Sequence, residues 1–145
     1  MVFVGLFLSL VFGFLAGLHV YWARGGLWPG TDPRSLLEHV VGASPSAETP
    51  SPAACLVVAG LLSVAACLPL ALLGWVPMPM QLAEWVGLAA YGCAGVLLLR
   101  GLYGYVDHRV RPATLETPFF RLNRVLYSPL CLLLGGLMLY LSSSA

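Results

Sequence analysis

Arg100, Tyr103 and Asp107 stand at i, i+3 and i+7, and Arg121, Arg124 and Ser128 repeat that interval farther along the chain. On a helix this spacing puts each set on one face. Two such faces turned towards each other would enclose a cationic pocket. Planar guanidinium groups present paired donors, which suits them to phosphate or carboxylate. His19, Tyr21, Trp22 and Arg24 upstream, and Asn123 and Tyr127 beside the second set, complete the candidate ligand contacts. The plainer reading is that arginines and aromatics at the ends of membrane helices are anchors.

The histidines offer a different chemistry. His19 stands within the first apolar run and His108 follows Asp107, so either could serve as an acid/base with Asp107 orienting it. A buried neutral imidazole bonded to nearby backbone or tyrosine is the structural alternative for His19. Haem or a metal would need further ligands at suitable spacing, and none is present, so no cofactor and no metal are expected and the protein should be colourless. Nucleophile triads and phosphate-binding loops are absent as motifs, and no catalytic residue is assigned. Cys55, Cys67, Cys93 and Cys131 stand singly in apolar runs and read as packing residues without a disulfide framework.

Which elements must position these residues follows from composition. Of 145 residues, 59% are hydrophobic and 9% charged, with mean hydropathy +0.89, whereas soluble domains carry about a quarter charged residues. An all-α membrane protein follows, with one domain over residues 1–145. All seven basic residues are arginines and six acids nearly balance them, which argues against a nucleic-acid partner. Four apolar runs are each close to the roughly 20 residues a helix needs to cross the hydrocarbon. They predict spans over about 2–23, 53–75, 82–105 and 119–141, arranged as an antiparallel bundle. The first run lacks a basic flank and a cleavage site and is too long for a signal peptide, so it is expected to stay.

Between the first two spans one short helix is written clearly. Asp32 can cap it, Pro33 suits its first position, Leu36, Leu37, Val40 and Val41 form its apolar face and Gly42 stops it. It should lie on the membrane surface with its leucines down. The remaining SPSAETPSP reads as mobile. The short VPMPMQ turn between Trp75 and Trp85 makes spans two and three a hairpin with both indoles in one interfacial belt, and Glu84 beside it should be solvated. Gly13 and Gly17 form a GxxxG, and Gly87, Ala90, Ala94, Gly95 and Gly101 predict tight contact along span three. Pro69 and Pro129 should bend their helices, Pro129 freeing the carbonyl of Val125. Thr117 and Pro118 read as a cap and first position for span four. Arg100 would lie about 7–8 Å inside the end of span three, free to reach the surface or to pair with a buried acceptor.

Orientation follows from the loops. Arg24, Arg34, Arg109, Arg111, Arg121 and Arg124 fall on one side, and no basic side chain falls on the other. The positive-inside rule then places both termini outside and both long loops in the cytoplasm.

Two segments also carry a resemblance. LHVYWARGG, residues 18–26, and RLNRVLYSPLC, residues 121–131, resemble the bacterial membrane family catalogued as domain of unknown function 3995, over the length of the chain. The His-x-Tyr-Trp-Ala-x-Gly-Gly motif stands unbroken at His19 to Gly26, and Arg-x-Asn-Arg-x-x-Tyr-Ser-Pro-Leu-Cys at Arg121 to Cys131. The resemblance implies a small four-helix integral protein of the bacterial cytoplasmic membrane and no assigned activity. Together with the residues, it leads to the expectation of a non-enzymatic protein whose inner-leaflet pocket binds an anionic lipid headgroup or small anion through Arg100, Arg121 and Arg124. The alternatives are a membrane enzyme acting on a lipid or isoprenoid, a small homo-oligomeric transporter, and an accessory subunit of a membrane complex.

Overall fold

A computed structural model describes residues 1–42, 50–77 and 79–144. Most of the SPSAETPSP stretch lies outside the described residues. Among those described there is no strand, and the elements are α1 (Val2–Ala23), α2 (Pro33–Val40), α3 (Pro52–Leu72), α4 (Met80–Val110), a 3-10 turn (Pro112–Glu116), α5 (Pro118–Leu122), a π turn (Asn123–Tyr127) and α6 (Ser128–Ser144). Among the described residues four helices are long and apolar enough to cross a membrane: α1, α3, α4 and the continuous run Pro118–Ser144. Large apolar side chains such as Phe3, Leu10, Leu61, Val96 and Leu99 are exposed. Water would penalise such a surface, whereas hydrocarbon covers it.

α1 packs along α3, and α4 along α6, with sparser contacts joining α3 to α4 and α1 to α6. Spans two and three therefore touch, but each has its more extensive partner elsewhere. The apolar core joins Leu8 and Phe12 of α1, Ala65 and Leu68 of α3, Ala90 and Ala94 of α4, and Leu134, Met138 and Leu141 of α6. Those are the first half of α1, the second of α3, the first of α4 and the second of the last span Pro118–Ser144, as a chain running back and forth requires. The core thus occupies the end of the protein that holds the termini and the short turn. The end that holds the long loops is built differently.

Small residues act where they meet a neighbour. Ala90, Ala94 and Gly101 are buried in α4, and Gly101 and Gly135 accept Leu132 and Leu98 respectively. Gly13, Gly17, Gly87 and Gly95 have open space beside them, so the GxxxG of α1 makes no close contact within this chain.

At the loop end, α2 forms as its residues dictate. The Asp32 carboxylate accepts from the backbone N–H groups of Arg34 at 3.0 Å and Ser35 at 2.9 Å, and Pro33 takes the first position. Asp32 is held below its ordinary 3.8, chiefly by the Ser35 N–H. Thr117 sits at the N-cap of α5 with extended backbone, but its hydroxyl donates to the Thr114 carbonyl at 2.8 Å instead of capping the helix. Thr114 does the same towards Arg111, also at 2.8 Å. Each threonine thus closes the turn before it. The helix α4 runs to Val110, beyond the expected end near Tyr105. Arg100 therefore lies about 15 Å from the helix end at 1.5 Å per residue, but the added residues include Asp107, His108 and Arg109 and extend the helix past its apolar run.

Candidate functional site

The first feature of the loop end is a polar cluster where α4 crosses the last span. Arg100 donates from Nη2 to the Asn123 side-chain oxygen at 3.1 Å, and Asn123 donates from Nδ2 to the Gly104 carbonyl at 2.8 Å. The Ser128 hydroxyl donates to the same Asn123 oxygen at 3.3 Å. Asn123 and Ser128 are buried, and Nη1 of Arg100 is buried without a partner. The helices approach closely because residue 104 has no side chain: a Cβ there would strike the Ser128 hydroxyl, with Arg100 Nη1 at 2.9 Å and Asn123 Nδ2 at 3.1 Å.

The π turn brings Asn123 into this cluster. Pro129 has no N–H to give to residue 125, so a regular α-helix is already broken there. The wider turn over Asn123–Tyr127 adjusts the helix just ahead of it, with Asn123 and Ser128 both facing inwards.

A second fastening lies one helical turn and more beyond. Asp107, 3% exposed, takes both arms of Arg111, at 2.9 Å from Nε and 2.8 Å from Nη2. Hydrogen bonding to Asp107 raises the Arg111 pKa above its ordinary value. Its Nη1 reaches the Val41 carbonyl at 3.2 Å, and its guanidinium lies over the Phe119 ring. Tyr127 donates its hydroxyl to the His39 carbonyl at 3.2 Å. Gly42, at φ +65°, lies against Phe119. The amphipathic helix is therefore tied to α4 and α5 as well as capped at its start.

The third feature lies on the other side of α2. A half-open cavity of about 400 Å³ lies between the end of α1, α2 and the start of α3, and His19 and Trp22 are in its wall. His19 Nδ1 lies 2.8 Å from the Leu15 carbonyl. Since a carbonyl only accepts, Nδ1 carries the proton. This is the backbone bond of the structural alternative. Trp22 donates from its indole to the Trp28 carbonyl at 2.7 Å, and the Tyr21 hydroxyl lies 3.4 Å from the Trp28 nitrogen. The two aromatics fold the following loop back onto the helix. Gly26 lies so close to the Tyr21 ring that a side chain there would have to displace the ring.

A family profile described as Protein of unknown function (DUF3995) matches residues 12–138. The chain belongs to the DUF3995 family. The matched span of this family member contains the polar cluster, the Asp107 pair and the cavity. No curated protein and no solved structure matches the chain.

The structure thus brings together some of the sequence candidates and separates others. Arg100, Asn123 and Ser128 meet; Asp107 pairs away from Arg100, with Arg111; Tyr127 holds α2. Arg121 and Arg124 are exposed outside the cluster, Arg124 lying 5.5 Å from the centre of the Phe120 ring. His108 meets Phe120 edge-on and Tyr103 is exposed. Arg24 is exposed at the C-cap of α1. Among the described residues no three His, Cys, Asp or Glu side chains come together. Sequence reasoning missed Arg111, Gly104, Phe119 and the carbonyls of His39 and Val41. The i, i+4 interval from Asp107 to Arg111 was the available signal for the first. The carbonyls carry none.

Proposed function

We propose that the loop end of the protein holds an anionic phospholipid headgroup or small anion at Arg100, in the inner leaflet of the cytoplasmic membrane, with both termini outside. One observation carries the reading: a guanidinium on a membrane-spanning helix has one buried nitrogen unpartnered, and its hydrogen bond is to a neutral amide. Among the described residues the ion pairs are Arg34 with Glu38 and Arg111 with Asp107, so no acid answers Arg100. An unanswered cation costs about 3 kcal/mol at the centre of a span and less towards its end, a cost which an anion from outside the chain would offset. The exposed Arg121 and Arg124 draw anionic lipid to this face, at about 1 kcal/mol each near a charged surface.

Native mass spectrometry of protein extracted from membranes containing phosphatidylglycerol and cardiolipin tests the reading. Arg100→Gln and Arg100→Lys should both lose retained lipid, because an ammonium cannot present the planar fork. Arg121→Lys and Arg124→Lys, altering exposed cations, should change it little. Full retention in Arg100→Gln would leave Arg100 as a structural link between α4 and the last span. Orientation is read separately, from reporters fused within residues 44–50: activity on the outer side would overturn it.

A further inference from the structure

The cavity beneath α2 is distinct from the arginine cluster in both place and chemistry, and what it would hold does not depend on the anion reading. Protein interiors close voids larger than a water molecule wherever side chains can relax into them. Here they cannot. Arg111 on Val41, Tyr127 on His39 and Phe119 under Gly42 hold α2 from the α4–α5 side. Its apolar residues Leu36 and Val40 therefore face Cys55 and Val58 of α3 and His19 and Trp22 of α1 across about 400 Å³. That volume lies in the lower part of the roughly 300–1,000 Å³ range of small-molecule pockets, which suits one chain better than two.

The wall selects the head as well as the tail. Among the described residues no Asp, Glu or Arg lines the cavity, so none of them answers a phosphate or an ammonium. Trp22 has spent its N–H on Trp28. His19 Nδ1 is committed to Leu15, and Nε2 makes no hydrogen bond among the described residues. In that tautomer Nε2 is an acceptor. We infer that this cavity is a binding site for a neutral single-chain lipid whose hydroxyl head donates a hydrogen bond to His19 Nε2, with the chain lying against the apolar face of α2.

The test uses the full chain in phosphatidylcholine nanodiscs and a dodecanol carrying a diazirine in its chain, with crosslinks located by mass spectrometry. Labelling should fall in the end of α1, α2 and the start of α3. Dodecanol should compete about fivefold better than dodecyl methyl ether, which has the same chain without the donor and so lacks one hydrogen bond of about 1 kcal/mol. His19→Phe should erase that preference while labelling persists. Val58→Trp, which fills the cavity from α3, should abolish labelling with the thermal midpoint retained. Labelling spread evenly over lipid-facing residues such as Phe3, Leu61 and Val96 would overturn the site. Equal competition by alcohol and ether in the unmutated protein would overturn the role of His19 and leave a cavity for bilayer chains.

Discussion

The end of the protein that holds the termini and the end that holds the long loops are stabilised in different ways. At the first, nine apolar side chains from all four spans close on one another. At the second, α4 and the last span meet through Arg100, Asn123, Gly104 and Ser128, and α2 is fastened by Arg111 and Tyr127 beside a cavity. Within hydrocarbon, apolar burial drives no association, so close packing has to hold the first end together. Polar fixtures hold the second without filling it. A membrane protein that has to keep space for a ligand needs the second kind of construction.

The largest expected effect sharpens this contrast on a single helix. Gly104→Ala should destabilise by about 4 kcal/mol, combining overpacking with the loss of a buried polar contact. Gly95→Ala, with open space beside it, should stay within about 0.5 kcal/mol. Reversible unfolding in mixed micelles measures both, and equal losses would break the contrast. Next comes Phe12→Ala at the closed end, at about 3 kcal/mol, with retained lipid unchanged in native mass spectra. If lipid were lost too, the two ends would not be independent.

Asp107→Asn should cost about 2 kcal/mol, less than the roughly 3–5 kcal/mol of a fully buried pair because Arg111 is 41% exposed. Its signature is local: hydrogen exchange should quicken in α2, whose Val41 carbonyl Arg111 holds, and not in α6. The smallest effect is acid fraying of α2. Asp32 has its pKa depressed by folding, so its capping contribution is present above the ordinary 3.8 and lost as pH falls through the lower folded value. Exchange in α2 should rise in that acid window in the native protein, and the rise should vanish in Asp32→Asn.

The spans were legible because hydrocarbon thickness imposes a length that uncharged runs either meet or miss, and α2 because Asp32, Pro33 and Gly42 each act within a few residues of themselves. The candidate site was legible only as a neighbourhood. Spacing placed Arg100, Arg121 and Arg124 at one depth, but whether faces turn together depends on helix rotation, which side-chain type does not encode. Asn123 and Gly104 meet across nineteen positions through a backbone carbonyl, and carbonyls are the same at every residue. The motif around His19 was readable as a pattern, but its physical reason, two aromatics and Gly26 folding a loop back on its helix, required the backbone path. The cavity is a product of what α2 is tied to, so no local stretch announces it.

The π turn in the last span carries one residue more than an α turn would use over the same rise. One residue corresponds to about 100° of rotation in a regular helix. Deleting Val125 would return the turn to α pitch, with Pro129 still lacking its N–H, and swing everything before it by that angle, carrying Asn123 away from Gly104 while Leu134, Met138 and Leu141 kept their seats. The extra residue acts as a phase shifter: it lets a single helix obey one register for the core at the closed end and another for the polar cluster at the open end.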